Sequence, residues 1–296
     1  MRVSVIISNY NYADFLSTCI DSVLAQSEPV DEIIVVDDGS TDNSHEVIQS
    51  YGGGIILIFQ NNGGQAAAIN AGFAKATGDI ICLLDADDIF YPDKIKILKN
   101  TYSKNPDSKW IFHCLDKKSE DGAVMLRPVV SIPFKNINKM TAMREGRLNY
   151  HAPATSGLSF RRDFVRELFP LPTAESIFIS DHYIKFYTLA SSEGLDISTA
   201  LGAQTIHPNN RYTGKNTNAV KAKILVNAGY HLYQKMPELK KFCSKLVCEG
   251  LLCGKRAEIS QQVEEVAGKY LSILNPYELF LFKCRLAVKM IFGNVH

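Results

Sequence analysis

The chain predicts an α/β fold, with a mostly parallel central sheet flanked by helices and a C-terminal helical extension. Three observations predict it. Short runs rich in Ile, Leu and Val alternate with helical patterns from Val3 to Leu84, the spacing of βαβ crossovers and therefore of a parallel sheet. Two of those runs end abruptly in acids, Asp37-Asp38 and Asp85-Ala86-Asp87-Asp88. From Ala219 onward strand signals stop and Lys-rich helical patterns take over. The expected division is 1–218 for the α/β domain and 219–296 for the helical region.

Val3 to Ser8 reads as a buried first strand that hands over to a polar, aromatic turn, Ser8-Asn9-Tyr10-Asn11-Tyr12. A helix follows, in which Phe15, Leu16, Cys19, Ile20, Val23 and Leu24 share one face and Asp14 is placed to cap. Glu32 to Val36 is the second strand, His45 to Ser50 a short helix, Gly52-Gly53-Gly54 a turn and Ile55 to Phe59 the third strand. Gln65 to Ala76 is a small-residue helix able to lie close on the sheet, and Gly63-Gly64 before it could offer amides to a phosphate. Asp79 to Leu84 closes the series, and Asp88 to Pro92 introduces the next helix.

Parallel strands present their carboxyl ends along one edge, so Ser8 to Tyr12, Asp37/Asp38 and Asp85 to Asp88 should converge where open α/β sheets bind ligands. One Asp at a strand end is an ordinary turn former or cap. Three in four residues after a buried strand repel one another unless a cation sits among them, and a hard divalent ion suits oxygen ligands.

Trp110 to Val130 reads as strands joined by a turn at Glu120-Asp121-Gly122, followed by a short helix near Lys139 to Arg144. Ala154 to Phe160 is strand-like, and Arg161-Arg162-Asp163 starts a helix. Ser180-Asp181-His182-Tyr183 reads as a capped helix start. On spacing alone Asp181 complements the helix dipole, worth roughly 0.3 to 1 kcal/mol. Val220 to Met236, Lys240 to Cys253 and Glu258 to Leu274 are helical, and Asn275-Pro276 opens a last helix. Along Tyr277 to Phe292 only Glu278, Arg285 and Lys289 form a polar stripe, and apart from Lys283 the rest is apolar. Core burial or a partner helix is the first reading, an interfacial membrane helix the second.

A net charge of +1 over 296 residues argues against a broad nucleic-acid surface. Seven cysteines without a Cys-x-x-Cys pair fit reduced thiols in a cytoplasmic setting. Met1-Arg2-Val3 is read as already entering a strand, which leaves no room for a signal peptide, and no run approaches the ~18 to 20 apolar residues of a spanning helix. Neither a Gly-x-Gly-x-x-Gly nor a P-loop pattern occurs at the sheet edge, so the usual dinucleotide and P-loop readings fail.

These residues resemble the inverting family 2 glycosyltransferases, with their nucleotide-diphospho-sugar transferase fold, GT-A. The likeness is carried by Val3 to Asn11, by Ile33 to Asp42, by Asn62-Gly63-Gly64 through Asn70-Ala71-Gly72, and by Ala76-Thr77-Gly78-Asp79 to Leu84-Asp85-Ala86-Asp87-Asp88. Beyond Trp110 it thins to isolated positions, and none is seen after Tyr212. The resemblance implies that Ser8 and Tyr10 line the base pocket of a nucleoside diphosphate sugar and that Asp38 pairs with the base. Asp85, Asp87 and Asp88 match the acidic motif; one of Asp87 and Asp88 holds Mn²⁺ or Mg²⁺ and the other the ribose or sugar. His207 is similar to a late His that reaches the metal or diphosphate, and Arg211 adds a phosphate contact. Asp181 looks like the general base of the family's Glu-Asp pair, here Ser180-Asp181. Ile69 stands where many relatives carry Arg or Lys.

The implied activity is metal-dependent, inverting transfer from a nucleoside diphosphate sugar, uridine-linked by analogy, to a hydroxyl of a glycan or lipid-linked acceptor in surface polysaccharide or glycan assembly. Two alternatives stand beside it. A sugar-phosphate nucleotidyltransferase would want a Gly-rich, basic loop after the first strand, and Ser8 to Tyr12 has none. A non-catalytic nucleotide-binding scaffold would act through the helical tail. Membrane attachment is a separate expectation: a cytoplasmic protein with 277–292 as a peripheral contact at the inner face of the membrane. Dependence of turnover on Mn²⁺ or Mg²⁺ separates the enzyme from the scaffold.

Overall fold

The structure is a computed structural model that describes residues 1–119, 124–126, 135–173, 180–208, 210, 218–255 and 260–292. Two compact units make up the chain. The first comprises Met1–Asn138, Tyr150–Leu171 and Ser191–Asn209; the second comprises Lys139–Asn149, Pro172–Ala190 and Asn210–His296.

The first unit is built on one sheet. Its strands are β1 (Val3–Asn9), β2 (Glu32–Asp37), β3 (Ile56–Phe59), β4 (Ile80–Asp85), β5 (Ile89–Phe90), β6 (Trp110–Ser119), β7 (Val124–Leu126), β8 (Lys135–Ile137), β9 (Leu158–Arg161) and β10 (Gly194–Ile206). Their order is β3-β2-β1-β4-β9-β6-β10-β5, with β7 on β6 and β8 on β10. The half from β3 to β4 is parallel, as the alternation of strands and helices predicts. In the other half only β6 and β10 run parallel, while β9, β5, β7 and β8 pair antiparallel to their neighbours.

The first strands are continuous apolar runs because both faces are covered: Val3, Val5, Ile6 and Ile7 on β1 and Ile80 to Leu84 on β4 are all buried. Leu16, Cys19, Ile20 and Val23 of the helix Ala13–Leu24 pack into the same core. The helix Gln65–Lys75 lies close on the other face, and Gly72 is what permits it: a Cβ there would sit 2.4 Å from Ile6 Cγ2.

Several local expectations need correction. Asp14 does not cap its helix; the cap position is Tyr12, and the free amide of Ala13 is taken by Asp42 Oδ2 at 2.9 Å. Asp88 to Pro92 does not lead straight into a helix. Ile89–Phe90 first pairs with Gly202 and Ala203 of β10, and the helix Lys94–Lys104 then starts after Asp93. Gly52–Gly54 forms the expected turn, of 3₁₀ type. The expected turn at Glu120-Asp121-Gly122 lies outside the described residues.

β10 was not anticipated by any pattern. Its register on β6 shifts between Ile197 and Ala200 and again between Ala200 and Ala203, so the alternation that marks a strand is broken twice.

The second unit contains the helices Met140–Arg144, Ser180–Ser191, Asn218–Lys235, Lys240–Gly254, Gln261–Ser272 and Pro276–Phe292. Val226, Val263, Val266 and Ala267 form a small apolar core there, with Tyr230 and Leu251 packed on it.

Candidate active site

At the carboxyl edge of the parallel half-sheet the strands are in register, with Ser8 beside Asp85 and Asn9 beside Asp37. Asp37 is fully buried and organises the turns. It accepts from Asn9 Nδ2 at 2.6 Å, from Ser40 Oγ at 2.6 Å and from the Ser40 amide at 3.0 Å, and it pairs with His45 Nε2 at 2.8 Å. Asn11, held at φ 58°, accepts from the Thr41 amide at 2.7 Å, which ties the turn after β1 to the turn after β2. Ser8 and Tyr10, the residues predicted to line a base pocket, are half-buried on this tied loop.

Asp38 is buried beside them. Its carboxylate accepts from Gln60 Nε2 at 2.6 Å and from the amides of Gly63 at 2.9 Å and Gly64 at 2.7 Å. Those two amides, which the sequence left open to a phosphate, are taken by a protein carboxylate. An ionised carboxylate offers about four acceptor positions, and three here are filled.

The acids after β4 are held by residues distant in sequence. Asp85 Oδ1 accepts from Gln65 Nε2 at 2.7 Å, and the Asp85 amide donates to Ser156 Oγ at 3.1 Å. Ser156 Oγ in turn donates to Asp88 Oδ2 at 2.5 Å, while Asp88 Oδ1 accepts from the Thr205 amide at 3.0 Å. Asp88 is 1% exposed, with a donor on each oxygen. Burial, then the charges of Asp87 and Asp85, push its carboxyl well above the usual range; the bonds from Ser156 and Thr205 act the other way.

Behind the cluster sits Lys94, fully buried, donating from Nζ to the Ser156 carbonyl at 2.8 Å and lying 3.3 Å from the centre of the Phe90 ring. Burial pulls its pKa down to about 7.

Asp87 differs from Asp88. It is half-buried, and its Oδ2 lies 3.1 Å from His207 Nε2. His207 follows β10 and is fixed against two rings, stacked on Phe15 at 4.3 Å between centroids and edge-on to Tyr12 at 5.6 Å. Asp87 and His207, distant in the chain, therefore meet. Among the described residues no three His, Cys, Asp or Glu side chains are grouped so as to hold a metal ion by themselves. A carboxylate and an imidazole would nevertheless fit a divalent ion that completes its shell with phosphate oxygens and water; the carboxylate with phosphates is the common arrangement for Mg²⁺, and the imidazole suits a transition metal better. Arg211 lies outside the described residues.

Asp181 belongs to the second unit, in the first turn of the helix Ser180–Ser191. It is 8% exposed; Oδ2 accepts from Lys185 Nζ at 2.8 Å and Oδ1 lies 2.9 Å from His182 Nδ1. Burial alone would raise its pKa, but the Lys185 charge and then His182 overcome it and hold the carboxyl well below the usual range. Lys185 was legible in principle, since acid and base four apart on a helix face each other. Ser156, Gln65 and Lys94 left no such local signal.

A half-sheet with acid-tipped parallel strands, joined to a mixed half that returns a histidine to the acids, has the layout of the GT-A transferases. The family model described as "Glycosyl transferase family 2" matches residues 4–169. The chain belongs to that family. It is 37% identical over 221 residues to an uncharacterized glycosyltransferase of Nostoc sp. (strain PCC 7120 / SAG 25.82 / UTEX 2576), the match covering 72% of this chain and 67% of that protein. It spans 38% of the length of an uncharacterized glycosyltransferase of Rickettsia prowazekii (strain Madrid E), at 39% identity over 121 residues, 40% of this chain. Among solved structures, residues 1–349 of S. aureus TarS in complex with UDP-GlcNAc superpose with a TM-score of 0.65 at 14% identity, over 94% of this chain and 83% of that one. A mannosyltransferase from Pyrobaculum calidifontis in complex with GDP-Man and Mn²⁺ gives a TM-score of 0.55 at 19% identity, over 99% and 87%. These two likenesses establish the GT-A fold.

Proposed function

We propose that the chain transfers a sugar from a nucleoside diphosphate sugar to an acceptor hydroxyl with inversion at the anomeric carbon. The observation that carries this is the convergence of Asp85, Asp87 and His207 on the sheet edge that also carries Ser8, Tyr10 and Asp38. The mannosyltransferase of the same fold, with its GDP-Man and Mn²⁺, supports a nucleotide-sugar donor and a divalent cation, and TarS with UDP-GlcNAc supports a uridine-linked donor. In this reading 1–218 is the catalytic domain and 219–296 a helical appendage. The acceptor is a glycan or a lipid-linked glycan.

Ser8 and Tyr10 line the base pocket, and Asp38 offers its remaining acceptor position to an N–H of the base. Asp85 orients the ribose or sugar, itself aimed by Gln65 and by Ser156. Asp87 and His207 would hold Mn²⁺ or Mg²⁺, which neutralises charge on the diphosphate. Asp88, 1% exposed and tied by a donor on each oxygen, is a strut that positions the Asp85 to Asp87 turn. This divides the roles of Asp87 and Asp88, which the resemblance leaves open.

Asp181 takes the acceptor proton. As the acceptor oxygen bonds to the anomeric carbon, the bond to the diphosphate breaks and its electron pair leaves with the nucleotide. A carboxylate held below its usual range is a weak base, but it stays ionised at neutral pH, and the hydroxyl becomes strongly acidic as the new bond forms. Lys185 and His182 fix the carboxylate for that moment.

The test incubates the protein with a panel of nucleoside diphosphate sugars, Mn²⁺ or Mg²⁺ and glycan acceptors, reading nucleotide release and the anomeric proton of the product by NMR. The proposal expects nucleoside diphosphate release that EDTA abolishes and a product of inverted configuration. Retained configuration, transfer indifferent to EDTA, or release of pyrophosphate would each contradict it.

A further inference from the structure

The helix Pro276–Phe292 is apolar nearly all round, and only one side of it is covered. Phe282 is buried, Leu279 and Leu286 are half-buried, and two ion pairs anchor the helix to the same unit: Glu278 with Lys240 and Lys289 with Glu249, each at 2.9 Å. Its other side stands open. Tyr277 is 70% exposed, Phe280 62%, Leu281 48% and Val288 54%, with Cys284 exposed among them. Positions 277, 280, 281, 284 and 288 fall on one stripe of a helix. Single exposed apolar side chains are ordinary. Here five of the ten large exposed ones among the described residues, Met290 included, sit on this one helix. Core burial therefore does not account for its composition.

Charge gives the stripe a direction. Lys283 and Arg285 are exposed and lie on opposite flanks of it. Glu278, the acid of this helix, is turned to Lys240. The exposed face thus combines an aromatic and aliphatic centre with basic edges and no acid, the make-up of a helix that lies in the headgroup layer of an anionic bilayer.

We propose that this face of Pro276–Phe292 docks on anionic membrane surfaces, with Tyr277, Phe280, Leu281 and Val288 entering the headgroup boundary and Lys283 and Arg285 meeting lipid phosphates. The proposal is independent of the donor and acceptor. No helix among the described residues is long and apolar enough to cross a membrane, so the attachment is peripheral.

The test is flotation of the full chain with vesicles of 70% phosphatidylcholine and 30% phosphatidylglycerol, against vesicles of phosphatidylcholine alone. Wild type should float with the anionic vesicles and about tenfold less with the neutral ones. The double variant Phe280→Glu/Leu281→Glu should stay at the bottom of the gradient, and Lys283→Glu/Arg285→Glu should float several-fold less; both change exposed side chains, and circular dichroism checks their folding. A wild type that does not float, or variants that float as it does, overturns the proposal. So does a dimer in light scattering that Phe280→Glu/Leu281→Glu turns into monomer without any flotation, because a second copy would then be what covers the stripe.

Discussion

Asp88 and Asp181 are both buried aspartates, and their surroundings drive them in opposite directions. Asp88 has two carboxylates for neighbours, and burial with like charge lifts its pKa. Asp181 is also buried, though less deeply, yet Lys185 and His182 more than offset the burial and hold its pKa below the usual range. The same residue type is thus pushed toward its protonated form behind an acid cluster in one unit and toward its ionised form in the other. What separates them is the sign of the nearest charges, which burial then amplifies.

The largest effect is expected at Asp181. Asp181→Asn keeps size and one acceptor oxygen but loses the charge paired with Lys185 and cannot take a proton. Transfer should fall about 10²- to 10⁴-fold, the usual worth of a positioned base, while donor affinity by calorimetry stays within about twofold. Near-normal transfer would remove Asp181 from the mechanism.

On the other side, Ser156→Ala strips Asp88 Oδ2 of its donor inside the protein and leaves the Asp85 amide without its acceptor. A buried group left unsatisfied costs about 1 to 3 kcal/mol, so the urea midpoint should drop with little change in slope. An unchanged midpoint would mean that the Ser156 bridge does not support the acids.

Lys185→Met sharpens the contrast by moving Asp181 toward the condition of Asp88. With its folded pKa depressed, Asp181 contributes stability that is present above its unfolded value and lost as pH falls through the folded one. Removing Lys185 should raise the folded pKa, so the acid limb of the pH–rate profile should move to higher pH while the alkaline limb stays. A uniform loss of rate without that movement would leave Lys185 a packing residue only.

Lys94 gives an effect that a pH series resolves. Its folded pKa, about 7, lies below the ordinary lysine value, so between about 7 and 10 the unfolded chain binds more protons than the folded one. Wild-type stability should therefore rise with pH relative to Lys94→Met across that window, by at most about 1.4 kcal/mol per pH unit for one proton. Parallel stability curves would show that Lys94 keeps its charge in the fold.

Much of the parallel half-sheet was legible because each strand there is a short apolar run with turn chemistry at its end. The acid tips were legible for the same reason, as three carboxylates closing one such run. β10 was not, since two register shifts break its alternation. Nor were the residues that hold the acids: Ser156 lies 71 positions from Asp85 and 68 from Asp88, and such contacts leave no local pattern. Asp42, not Asp14, serves the first helix for a similar reason, because an amide next to a tied loop takes whichever carboxylate the loop delivers. His207 could be named by resemblance, while its pairing with Asp87 became visible only once β10 had carried it back to the sheet edge.

If Asp87 and His207 hold a cation together with a nucleoside diphosphate sugar, thermal unfolding with UDP-GlcNAc and GDP-Man, each with and without Mn²⁺, reveals it. A ligand that binds only the folded state raises the melting temperature. At least one of these donors should stabilise wild type only when Mn²⁺ is present, and Asp87→Asn and His207→Ala should lose this added shift. A shift as large without Mn²⁺, or one kept in full by Asp87→Asn, would contradict it.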